Sequence, residues 1–74
     1  MSFFLVENEG DLETTISYTV EVAKNAAHKK VSVEFISGGM MKIFMQNLLR
    51  EFIAEGIPPD NGLHLDMLIP DPEV

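Results

Sequence analysis

A chain of 74 residues and 8.3 kDa has room for one small domain. With 46% apolar and 23% charged residues it has the makeup of a folded globular chain, which excludes a wholly disordered linker or acidic tail. It holds no cysteine, so no disulfide or thiolate metal site can staple it, and its net charge of −7 disfavours direct binding to nucleic acid.

A core this small must be tightly packed or shared with a partner. The lack of cysteine fits a reducing compartment. The chain opens Met-Ser-Phe-Phe-Leu-Val and turns acidic at Glu7, Glu9 and Asp11, without the basic start of a signal peptide. No apolar run approaches the ~18 residues of a membrane helix. The expectation is a soluble, cytoplasmic protein of one domain over residues 1–74, with no internal repeat.

Residues 2–6 form a continuous apolar run, which predicts a strand buried on both faces, at the centre of the sheet. Glu7 to Asp11 is a polar turn containing Gly10. Residues 12–27 read two ways. As a helix, Leu12, Ile16, Thr19, Val20, Ala23, Ala26 and Ala27 share a stripe, leaving Tyr18 and Val22 as misfits on the exposed side. As a strand, Ile16, Tyr18, Val20 and Val22 alternate with polar residues. Acids at its start, with Lys24, His28, Lys29 and Lys30 at its end, complement a helix dipole and favour the helix.

Residues 30–36 predict a strand with Val31, Val33 and Phe35 on one face, ended by Ser37-Gly38-Gly39. Residues 40–55 predict a helix whose apolar face is Met41, Phe44, Met45, Leu48, Phe52 and Ile53, stopped by Gly56 and Pro58. Leu63, Leu65, Met67 and Ile69 alternate with His64 and Asp66, so residues 63–69 predict a strand. Pro70 ends it, and residues 70–74 read as a frayed tail. The order β-α-β-α-β predicts a small α/β domain of two or three layers, with a three-stranded sheet and two helices. The alternative is an antiparallel βββαβ fold with one helix. A central first strand with parallel connections would place one helix on each face. Helices on a single face would leave Phe4, Val6, Ile36 and Leu68 as an exposed patch.

Charge is segregated along the chain. Residues 1–23 hold five acids and no base, residues 24–50 hold all five bases and one acid, and residues 51–74 hold six acids and no base. Glu7, Glu9, Asp11 and Glu13, with the apolar Ile36, Met40 and Leu68, are the candidate contacts for a protein partner with a basic surface. Ser37, Gly38, Gly39 and Lys42 form a candidate anion site at a helix start, since the second helix has no acid in its first turn. Lys24, His28, Lys29 and Lys30 form a small basic cluster that complements the first helix's dipole. His64 and Asp66 share a strand face, and Glu34 could join His64 from the neighbouring strand. Two histidines and no cysteine offer neither a metal-ligand pattern nor a nucleophile–base–acid set, so no cofactor, metal or catalytic residue is assigned.

The sequence therefore predicts a small acidic module that occupies a partner's surface, in the manner of an inhibitor or modulator, not an enzyme. Size and charge suggest a phage or mobile-element origin by analogy. The alternative is a small anion- or nucleotide-binding regulatory domain. Two open sheet edges also predict a homodimer.

Overall fold

Side chains at two turns start the two helices. In the computed structural model, which describes residues 2–25 and 29–69, the Asn8 side chain accepts a hydrogen bond from the Asp11 N–H at 2.9 Å and opens helix α1, Glu9–Lys24. Asp11 reaches back, its Oδ2 accepting from the Glu7 N–H at 3.0 Å, so two backbone donors at this turn are satisfied by a reciprocal pair. Ser37 does the same for helix α2, Gly38–Glu55, its Oγ accepting from the Met40 N–H at 3.2 Å. Helix α2 ends where Gly56 takes the left-handed conformation, φ 67°, and the Ile57 N–H closes back on the Phe52 carbonyl at 3.0 Å.

Three strands complete the order: β1, Ser2–Val6; β2, Lys30–Phe35; β3, His64–Leu68. All are parallel and the sheet order is β1-β2-β3, a small α/β domain. The antiparallel alternative with one helix is excluded. Helix α1 begins three residues before the predicted stripe and α2 two residues before its predicted start, because the capping side chains lie at Asn8 and Ser37. Residues 26–28, which include Ala26, Ala27 and His28, and the predicted tail 70–74 lie outside the described residues.

The central strand is β2, not β1. Continuous apolar character in β1 was a misleading cue, since Phe3 and Leu5 are 60% and 47% exposed and cover nothing. Moving from β1 to β2 to β3 shifts the chain in one direction across the sheet. Two right-handed crossovers made in one direction put both helices on the same face. The contacts agree: Tyr18 of α1 packs against Phe4 with the rings tilted and their centroids 5.0 Å apart, and Phe44 of α2 meets Phe35 edge-on at 5.1 Å. Phe4 and Phe35 belong to one sheet face, because directly paired residues in the register Phe4↔Val33 and Val6↔Phe35 point the same way. One helix on each face is thus overturned, and the domain has two layers.

The core lies between sheet and helices. Val6, Val31, Val33, Phe35 and Phe44 are fully buried, with Leu12, Ile16, Val20, Val22 and Leu48 around them. Val22 is core, not a misfit, and Tyr18 is half-buried with its hydroxyl hydrogen-bonded to the Ser2 Oγ. The buried face of α1 is wider than a single stripe because it meets both the sheet and α2. Buried Thr19 satisfies its hydroxyl on the Thr15 carbonyl at 2.7 Å. In α2 the outcome is the reverse. Met41, Met45 and Phe52 pack against the core as predicted, but Ile53 is 80% exposed.

Phe44→Ala is expected to cost about 3–5 kcal/mol, the range for a large aromatic removed from a core. Tyr18→Ala should cost on the order of 2 kcal/mol, and Gln46→Ala, on an exposed site, less than about 0.5 kcal/mol. Urea unfolding of the three variants checks this order; a neutral Tyr18→Ala contradicts the packing of α1 on β1.

Candidate interaction surfaces

The parallel sheet sends every strand out at the same end. Glu7 follows β1, Ile36 and Ser37 follow β2, and Leu68 ends β3, so the predicted contact residues converge on the carboxyl end of the sheet. The Ile36 N–H donates to the Val6 carbonyl at 3.1 Å, fixing Ile36 just beyond the end of β1. Glu9 and Asp11 lie in the first turn of α1, and Gly38, Gly39 and Met40 in the first turn of α2. Glu13 and Lys42 sit about one turn further along.

The sheet face turned away from the helices is the second convergence. Register places Phe3, Ser32 and Asp66 in one row and Leu5, Glu34 and Leu68 in the next. Ile36 continues the same face by alternation. Phe3, Leu5, Ile36 and Leu68 are all exposed there. The predicted patch was right in Ile36 and Leu68 and wrong in Phe4 and Val6, which point into the core; the residues exposed from β1 are the intervening ones. Glu34 is half-buried between Leu5 and Leu68, and among the described residues its carboxylate makes no ion pair or side-chain hydrogen bond. Sequence reading passed over Phe3 and Leu5, and took Glu34 only as a possible neighbour of His64. The signal was present in β2, where Ser32 and Glu34 alternate with Val31, Val33 and Phe35, as in a strand covered on one face alone.

Other predicted pairings come apart. Glu34 lies beside Leu68 and His64 beside Lys30, so Glu34 and His64 are at opposite ends of the strands. The basic cluster is partly neutralised, with Lys30 Nζ 3.9 Å from Asp66 and Lys24 Nζ 2.8 Å from Glu55. At the anion candidate the Ser37 hydroxyl is already engaged as the cap, and the Met41 N–H donates to the Ser37 carbonyl at 3.2 Å. Among the described residues no group of three histidine, aspartate or glutamate side chains could hold a metal ion.

A groove of about 540 Å³ runs between α1 and α2 on the solvent side. Its charged lining is Glu13, Glu21, Lys24, Arg50, Glu51 and Glu55. It also holds the hydroxyl of Ser17, but among the described residues no imidazole lines it to activate that hydroxyl. The Lys24–Glu55 pair spans it and explains why α2 carries an acid at its unfavourable end: Glu55 serves the contact with α1 rather than its own dipole. No helix among the described residues is long and apolar enough to cross a membrane. Comparison with known protein families, curated proteins and solved structures finds no match to this chain.

The hydrogen bond from Lys24 to Glu55, followed by the nearby charges of Glu55 and Glu21, holds the Lys24 ammonium above its ordinary pKa of 10.5. A folded-state pKa above the unfolded one gives stabilisation that is full below the unfolded value and is lost as pH rises through the folded one. Thermal unfolding of the wild type should therefore show an alkaline loss, above roughly pH 10, that Lys24→Met lacks. Equal alkaline profiles contradict the pair. Ser37→Ala should cost about 1 kcal/mol in urea unfolding through loss of the cap.

Proposed function

We propose that the protein is a small binding module that occupies the surface of a protein partner, with the open sheet face and the carboxyl end of the sheet as its contact surface. The observation that carries this reading is Glu34, a carboxylate held between Leu5 and Leu68 that, among the described residues, has no ion-pair partner and lies on a face no helix covers. Phe3, Leu5, Ile36 and Leu68 supply an apolar centre of the kind found in the middle of interfaces. A lysine or arginine from a partner would meet Glu34 in a water-poor setting, where a charge-assisted hydrogen bond is strongest. Glu7, Glu9 and Glu13, all exposed near the same end, add a negative field that speeds encounter with a basic surface. Asp11 contributes charge to this field while its side chain serves the cap. Covering a partner's functional surface in this way is the action of an inhibitor or modulator.

The test is capture from lysate by the immobilised protein, with wild type compared against Glu34→Lys and Leu5→Ser. The expected result is a stoichiometric basic protein held by the wild type and lost from both variants, with retention falling between about 50 and 500 mM salt as charges are screened. A partner held equally by all three, or one indifferent to salt, sinks the reading. Circular dichroism of the variants confirms that they remain folded.

A further inference from the structure

The helix-covered layer stops abruptly on the β3 side. Leu65 and Met67 share the helix-facing side with Val31 and Val33, yet they are only half-buried where those two are fully buried. Above them, α2 turns Asn47, Arg50, Glu51 and Glu55 toward the groove it shares with α1. Helical geometry puts Met45, Leu49 and Ile53, spaced four apart, on the opposite flank, on the β3 side of the helix. Leu49 and Ile53 are 56% and 80% exposed. This flank carries no acid; the charged residue nearest it is Lys42.

The free edge of β3 lies beside that flank. The His64 N–H donates inward to the Lys29 carbonyl at 2.9 Å, so by alternation Leu65 and Met67 direct their N–H and C=O groups outward. Among the described residues no strand pairs with this edge.

We propose that a second copy of this chain docks here, β3 against β3 in antiparallel register about a two-fold axis normal to the sheet. Two chains of charge −7 repel over most of their surface; the α2 flank carries no acid and the one acid of β3, Asp66, lies 3.9 Å from Lys30, so this is where they can approach. The same axis lays α2 against its copy, so Leu49 and Ile53 of both chains complete the interrupted layer. Charge selects the register. Centring on Asp66 sets that carboxylate against itself. Centring on Leu65 sets His64 beside Asp66 of the copy, twice, in the closer type of antiparallel pair. It also brings Leu63 to Met67 and Leu65 to its own counterpart on the helix side. The result is a six-stranded sheet whose two open faces lie side by side. It does not depend on the partner reading above: Phe3, Leu5, Glu34 and Ile36 stay outside the contact, and Leu68, though on β3, belongs to the open face.

Light scattering after size exclusion at ~10–100 μM, where even micromolar affinity gives mostly dimer, tests the proposal on the full chain. Wild type should give the mass of two chains. Ile53→Glu and Leu49→Glu, both at exposed sites, should give one chain with an unchanged circular dichroism spectrum. His64→Asp should weaken the dimer, and the exchange His64→Asp with Asp66→His should restore it. A one-chain mass for wild type throughout the range overturns the proposal. So does a dimer indifferent to Ile53→Glu and broken instead by Leu5→Glu, a residue of the open face. A dimer that the exchange fails to restore overturns the register.

Discussion

The handedness of the strand crossover decides the architecture. A right-twisted strand followed by a helix returns to the sheet on one side. When consecutive strands are laid down in one direction, as in β1-β2-β3, both helices must share that side. From this follow the two-layer core and the bare face carrying Glu34. A single reversal of strand order would have put one helix on each face and covered the face that carries Glu34.

The elements were legible in the sequence and their arrangement was less so. Helix α2 could be read from Phe44, Leu48 and Phe52, and its end from Gly56, because those signals act within a few residues. The helical reading of residues 12–27 stood on charge at the ends, and Asp11 and Lys24 occupy those ends. Strand order was misjudged, since exposed Phe3 and Leu5 look in sequence like buried ones: hydrophobicity records what a residue prefers, and only the tertiary contacts record what it obtains. The same mismatch accounts for Ile53, read as core and found on the outer flank.

The candidate surface was half visible for a similar reason. Ile36, Leu68, Glu7, Glu9 and Asp11 were picked out one by one, and the parallel topology brought them to one end of the sheet. Glu34 was read as a companion of His64, because its isolation is a property of neighbouring strands. Only the register that places Leu5 on one side of it and Leu68 on the other makes it stand out. Local chemistry also reassigned some charges. Asp11 closes the first turn of α1, and Glu55 with Lys24 ties the two helices together.

The central position of β2 governs how the molecule acquires its structure. Strands β1 and β3 never touch; each is paired to β2 alone. During synthesis β1 has nothing to pair with until the chain has been extended through Phe35, and β3 must wait for the whole of α2. Each pairing closes a long loop before any ladder bond is made, and loop closure of this kind slows folding. Until then, Phe4 and Val6 have no sheet partner to hide against. The interval between emergence of β1 and completion of β2 is when this chain is most exposed to aggregation or to capture by other proteins.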